Sequence, residues 1–170
     1  MNNPVKTMTM EKESYRTSLV FSHGELTRRV MGYLGIRELA ERPADAFIKA
    51  PSVGRRFLAD AHQREFIESR LRLAAWHVSS ALAGWKAATE FDTDDEISIS
   101  ITLGYPYSPA ECTLLGEMVR DWICLRVSRE VSLAVFCDKD EAEALSERED
   151  DTRQRVLMFL CAADVMRRAG

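Results

Sequence analysis

The sequence lacks the short motifs by which many enzymes and membrane proteins are recognised. It has no apolar run near the roughly 20 residues that span a bilayer. It also has no glycine-rich phosphate loop, no G-x-S-x-G and no dinucleotide fingerprint. The first residues, MNNPVKTMTMEKESYR, contain no apolar core before a small-residue cleavage site, so they do not have the pattern of a secretory signal. These absences favour a cytoplasmic protein that is not an enzyme.

Cysteine is scarce and widely spaced. Cys112, Cys124, Cys137 and Cys161 are 12, 13 and 24 residues apart, and no C-x-x-C pair occurs. A zinc site needs ligands at shorter spacing. A di-iron bundle would need Glu-x-x-His, and no histidine has a glutamate three residues before it. We therefore predict no metal and no cofactor, and we expect four reduced, half-buried thiols on helices.

What is present is an ordinary globular composition. The chain has 170 residues, of which 46% are apolar and 29% are charged, enough for one folded core. We predict a flexible N-terminal arm over residues 1–15 and a single helical domain over residues 16–168.

Helical periodicity dominates the pattern. Ser22 stands three residues before Glu25, and Ser108 stands three residues before Glu111, which is the spacing of a capping box. Pro109 follows Ser108 at the first helical position, where proline is favoured. Apolar residues at helical spacing predict helices over residues 23–34, 52–91, 109–136 and from about 138 onward. The predicted fold class is all-α, an antiparallel bundle of about four helices.

One segment breaks this period. Residues Ile97 to Leu103 alternate apolar and polar side chains, which is typical of a strand. Inside the chain it could pair with TSLVF (residues 17–21) or, less favourably, with VSLAVF (residues 131–136), which the third predicted helix claims. Failing those, it could pair with another copy of the chain or with another protein, by strand addition. It could instead be an extended connector pinned across the bundle by its apolar residues, Ile97, Ile99, Ile101 and Leu103, and this is the interpretation we favour. An exposed edge here would be a partner surface, whereas burial would mean packing.

Charge is unevenly distributed along the chain. Residues 1–91 carry 14 Lys/Arg and 10 Asp/Glu (+4), and residues 92–170 carry 9 and 17 (−8). Such a split is compatible with head-to-tail self-association, but neutralisation inside one fold is the interpretation we favour. Arg55, Arg56 and Arg64 make the second predicted helix basic and offer a nucleic-acid site. Interleaved acidic residues favour a solvated face instead, so nucleic acid is an unlikely partner.

The order of these features resembles a known class of proteins. GELTRRVMGYLG is followed by FIKAPSVGRRFLADA, an acidic loop EFDTDDE, ISISITLGYPYSPAE, LLGEMVRDWICLRVSREVSLAVF and a terminal MRRAG. This layout resembles small helical proteins encoded among the structural genes of prophages and similar mobile elements. The resemblance implies a role in virion assembly or as a head–tail adaptor, in the cytoplasm or the virion, and it carries over no catalytic residue.

Together these observations predict a structural or protein-interaction protein, with no membrane and no small-molecule substrate. The candidate partner-binding residues are Ile97, Ile99, Ile101, Leu103, Arg55, Arg56 and Arg64. The alternative is a regulatory module that binds nucleic acid through the three arginines.

Overall fold

A computed structural model describes residues 16–35, 61–92 and 98–169, without the side chains of residues 61–64 and 92. The predicted arm at residues 1–15 and the candidates Arg55, Arg56 and Ile97 lie outside the described residues. In chain order the elements are β1 (Thr17–Ser22), α1 (His23–Tyr33), α2 (Ala61–Ala81), a 3-10 turn (Ala83–Trp85), β2 (Ala88–Asp92), β3 (Ser98–Leu103), α3 (Pro109–Ala134) and α4 (Lys139–Ala169).

The predicted starts of the first and third helices are confirmed by their capping bonds, whereas the predicted start of the second, at residue 52, lies outside the described residues. The Ser22 Oγ accepts a hydrogen bond from the backbone N–H of Glu25 at 3.4 Å and begins α1. At the start of α3 the bonds are reciprocal: Ser108 Oγ accepts from the Glu111 N–H at 3.2 Å, and Glu111 Oε1 accepts from the Ser108 N–H at 2.8 Å. Each bond satisfies an amide that has no partner inside the helix.

The all-α prediction is wrong, because the chain also forms a three-stranded antiparallel sheet in the order β1-β3-β2, which makes it α+β. The favoured interpretation of residues 97–103 as a connector is overturned with it. The strand pairing with residues 17–21, the alternative left open, is confirmed: Leu19 lies opposite Ile101 and Phe21 opposite Ile99. This segment forms a strand and not a connector because β1 and β2 lie on its two sides and pair with its backbone N–H and C=O groups.

The predicted second helix is too long at its C-terminal end. It stops at Ala81, and the 3-10 turn leads into β2, which pairs with β3 from Ala88 opposite Thr102. Lys86 reverses the chain in the left-handed region, at φ 58°. Gly104 faces it closely, since a Cβ on Gly104 would lie 2.7 Å from Lys86 Cβ. A glycine is therefore required at this crossing.

The sheet packs one face on the helices. Leu19 and Phe21 of β1 and Ile99, Ile101 and Leu103 of β3 join a core formed with residues of all four described helices. The helices α3 and α4 form an antiparallel hairpin in which Arg129 NH1 reaches Ser146 Oγ at 3.5 Å. None of the helices in the described part of the chain is long and apolar enough to cross a bilayer.

Candidate partner-binding groove

The predicted partner residues of β3 lie in the core. Ile99, Ile101 and Leu103 are at most 1% exposed, and both edges of their strand are covered by β1 and β2. Arg64 lies in α2, but its side chain is outside the description. The side chains of β3 are therefore packing and not a partner surface. A partner strand could add only at the outer edge of β1 or of β2, beside which no described strand lies.

The outer edge of β1, beside which the described part of the chain places no other strand, borders a groove. A strand at the edge of a sheet presents a row of N–H and C=O groups that have no partner within the sheet. The groove runs between residues 18–21 of β1 and the first half of α3 and has a volume of about 310 Å³. Its α3 wall is made of Cys112, Thr113, Gly116, Glu117 and Arg120. Most of these side chains are small, so an extended backbone has room beside β1.

One end of the groove is fixed by the hydroxyl of Thr17. This hydroxyl donates a hydrogen bond to the carbonyl of Tyr105 at 2.9 Å and accepts one from the N–H of Tyr107 at 3.0 Å. Thr17 is 4% exposed, so water does not compete for these bonds. The start of β1 is thereby tied to the segment that leads into α3.

The segment before α3 is in turn held by α4. The guanidinium of Arg167 lies 4.8 Å from the ring centre of Tyr105 and 5.1 Å from that of Tyr107. Its NH2 donates to the carbonyl of Pro106 at 3.3 Å. Asp164 accepts from Arg167 and from Trp85 Nε1, which joins the end of the 3-10 turn to α4. This end of the groove is therefore built from three separate parts of the chain.

The other end of the groove is fixed by Arg120. Its guanidinium lies 5.8 Å from the ring centre of Phe21 in β1, and its Nε lies 3.5 Å from Oε1 of Glu25 in α1. Glu25 also faces Arg29 at 3.7 Å, and Arg29 NH1 reaches Asp121 Oδ1 at 3.3 Å. The contact between Arg29 and Asp121 joins the basic half of the chain to the acidic half, so part of the charge split is neutralised inside the fold.

Tyr33 strengthens the same junction between α1 and α3. Its hydroxyl donates to Asp121 Oδ1 at 2.9 Å. Burial, followed by this hydrogen bond, raises the pKa of Tyr33 above its ordinary value of 10. The phenol therefore stays protonated and keeps donating across the physiological pH range. With both ends fixed, the groove exists before any partner binds.

The structure also places the cysteines. All four are free thiols, but only Cys112 is half-buried on a helix as predicted. Cys124 is fully buried and Cys161 is exposed. Cys137 is also exposed and lies in the turn between α3 and α4, with φ 54°. Burial raises the pKa of Cys124 to about 12, so that thiol remains protonated. Within the described ranges, no three His, Cys, Asp or Glu side chains come together in a way that could hold a metal ion.

A second charged cluster lies outside the groove, where α2, α3 and α4 meet. Glu149 of α4 has a side chain only 6% exposed. Its Oε2 lies 3.0 Å from Arg126 NH1, and its Oε1 lies 3.6 Å from Arg129 Nε. His77 of α2 sits in the field of these groups and of Arg153. Burial, with a smaller contribution from Arg126, lowers the pKa of His77.

We expect His77 to make the protein less stable in mild acid. Because its pKa is lower in the folded chain than the ordinary 6.5, the unfolded chain takes up a proton first as the pH falls. Stability should therefore drop as the pH falls through about 6.5 and level off below the folded pKa. Urea unfolding between about pH 7.5 and 5.5 measures this, and His77→Gln should lose less stability than the wild type. Equal losses in the two proteins would contradict the assignment.

Comparison with protein-family models, with curated proteins and with solved structures finds no match to this chain.

The sequence contained two signals for the groove. The segment TSLVF contains the strand-favouring residues Thr17, Val20 and Phe21. Gly116 interrupts the otherwise helix-forming segment LLGEMV. A glycine inside a helix costs about 1 kcal/mol relative to alanine, and it often marks a place where a backbone must approach closely. Neither signal shows that the strand and the glycine are neighbours. That follows only from the fold, in which a Cβ on Gly116 would lie 3.9 Å from Leu19 Cδ2.

Proposed function

We propose that this protein is a non-enzymatic protein-interaction module that binds an extended protein segment by strand addition at β1. The observation that carries the proposal is the groove along the free edge of β1, walled by α3 and fixed at both ends. A strand added there would hydrogen-bond to the edge of the sheet, and its side chains would lie against α3. Assembly of a prophage-type particle is the setting that the resemblance in sequence layout supplies for such binding.

The nucleic-acid alternative gains no support from the described residues. Arg29 and Arg126 each lie within 4 Å of a carboxylate. On α2, the guanidinium groups of Arg70 and Arg72 lie over the rings of Phe66 and Phe91. Nucleic-acid binding would need basic side chains gathered on one face and free to meet phosphates. The strand-addition proposal is therefore preferred.

Gly116 provides the test. Gly116→Ala should raise the free energy of unfolding by up to about 1 kcal/mol, because alanine favours helix and its Cβ would make only an ordinary contact with Leu19. The larger Gly116→Phe should fill the groove. Linear peptides selected from a random phage-displayed library on the full chain should bind Gly116→Phe at least about tenfold more weakly than wild type.

The matched control is Gly32→Phe. Gly32 is exposed on α1, and a Cβ there would meet no described atom within 4 Å. Peptide binding should be unchanged in this variant. Hydrogen exchange adds a direct readout, because a bound peptide should protect amides of β1, residues 17–22. If no peptide is selected, or if peptides bind Gly116→Phe as well as wild type without protecting β1, the proposal fails.

A further inference from the structure

The side-chain pattern of β1 is symmetric about Val20. Ser18 and Ser22 flank it on the open face of the sheet, and Leu19 and Phe21 flank it on the core face. We propose that the strand added at this edge is β1 of a second copy, running antiparallel across a two-fold axis at Val20. This inference rests on the strand addition proposed above and names its partner.

The two-fold pairing matches every cross-strand pair in polarity. About Val20, residue 19 faces residue 21 of the second copy, so Leu19 meets Phe21 and extends the apolar face of both sheets. On the open face Ser18 meets Ser22 of the second copy, and Val20 meets Val20. Val20 is 60% exposed in the single chain, and an apolar partner directly opposite would cover it. The product is a continuous sheet of six strands in the order β2-β3-β1-β1-β3-β2.

Charges on α3 complement one another under the same symmetry. A Cβ on Gly116 would lie 3.9 Å from Leu19 Cδ2. The guanidinium of Arg120 lies 5.8 Å from the ring centre of Phe21. The two-fold axis places Leu19 level with Phe21 of the second copy. Since Glu117 follows Gly116 in α3, the same axis brings Glu117 level with Arg120 of the second copy. The groove thus holds two symmetric pairs of opposite charge. Self-complementarity of this kind is what an isologous interface requires.

Glu117 is available for this contact, and Arg120 would be shared between Glu25 of its own chain and Glu117 of the second copy. Glu117 is exposed and makes no ion pair with any residue whose position is described. Arg120 Nε lies 3.5 Å from Glu25, yet it forms no hydrogen bond to a described group. The side chains between the two helices are small, with Cys112, Thr113 and Gly116 on the α3 wall. Two copies of α3 can therefore approach each other above the joined strands.

A charge placed at the axis tests the pairing. Sedimentation equilibrium of the full chain should show a monomer–dimer equilibrium. Residue 20 is exposed in the single chain. We expect the dissociation constant of the dimer to rise at least about tenfold in Val20→Lys and in Val20→Glu, because each variant places like charges opposite each other. An equimolar mixture of the two variants should restore a dimer, since residue 20 meets its own counterpart only at a two-fold axis.

A second variant tests the helix contact. Glu117→Arg should weaken the dimer, because it places a second guanidinium level with Arg120 of the other copy. The control is Glu90→Arg, which makes the same charge change on the open face of the far edge strand, β2, and should leave the dimer unchanged. A wild-type chain that stays monomeric yet binds library peptides at the groove would overturn the second-copy assignment while leaving strand addition in place. Two other results would also overturn it: a dimer that persists in Val20→Lys, or a mixture of the two variants that does not recover.

Discussion

Replacing Trp122 with alanine is expected to lower the free energy of unfolding by about 3–5 kcal/mol. Trp122 lies near the middle of α3 and is fully buried, among the largest side chains of the core. Removing its ring leaves a cavity between α3 and its neighbours that the packed core can close only in part. Because domains are stable by only about 5–15 kcal/mol, this single change should remove much of the total. Denaturant unfolding measures the loss.

Trp122→Phe should cost much less than Trp122→Ala. The indole Nε1 is buried and has no hydrogen-bond partner among the described residues. A buried donor without a partner costs about 1–3 kcal/mol. Removing the N–H therefore offsets part of the stability that is lost with the smaller ring. Trp76→Ala is the control, because Trp76 is 64% exposed and its loss should be small. If Trp122→Phe were as damaging as Trp122→Ala, the indole N–H would have to be making a stabilising bond.

Replacing Glu149 with glutamine is expected to cost about 2–4 kcal/mol. Glutamine has nearly the same shape, so no cavity forms, but Arg126 and Arg129 lose the carboxylate that compensates their charge. Removing one partner of a fully buried ion pair costs about 3–5 kcal/mol, and we lower that figure because the two arginine side chains are 22% and 31% exposed. Urea unfolding at neutral pH measures the difference from wild type.

The control for this prediction is Glu147→Gln. Glu147 lies on the exposed side of the same helix and makes no ion pair with a described residue, so its replacement should change stability by less than about 0.5 kcal/mol. Equal effects of the two substitutions would mean that Glu149 has no special role. A large effect at Glu149 alone would show that the cluster fixes α4 against α3.

The contacts of Glu149 and the contacts at the two ends of the groove join different elements. Glu149 holds α3 to α4, whereas Thr17 and Arg120 hold α3 to β1 itself. Variants at Trp122 and Glu149 should therefore change stability first, and binding only through loss of folded protein. Variants at Val20 and Glu117 should change partner binding first and leave the stability of the single chain nearly unchanged. Comparing the two sets separates partner binding from folding.

Local features of the chain could be predicted from the sequence. The capping residues Ser22 and Ser108 stand three positions from the groups they bind, so the sequence alone reveals where α1 and α3 begin. The period of two over residues 97–103 likewise revealed an extended segment, since alternation depends only on neighbours along the chain. The core positions of α2, such as Ile67, Leu71 and Val78, follow from helical period in the same way.

Other features required the fold. In the chain from Ala81 to Asp92, Gly84 was the signal that the predicted helix could end early, but it did not reveal a strand. Residues 88–92 become a strand because β3 offers β2 an edge to pair with. The groove depends on Leu19 lying beside Gly116, two residues far apart in the chain.

By itself, then, the sequence determined the starts of α1 and α3, the apolar faces and the existence of an extended segment, because each depends on residues only a few positions apart. Only the tertiary structure decided which strands pair, which strand keeps a free edge and what lies beside it. Those outcomes depend on competition between distant segments for the same hydrogen bonds and the same apolar surface.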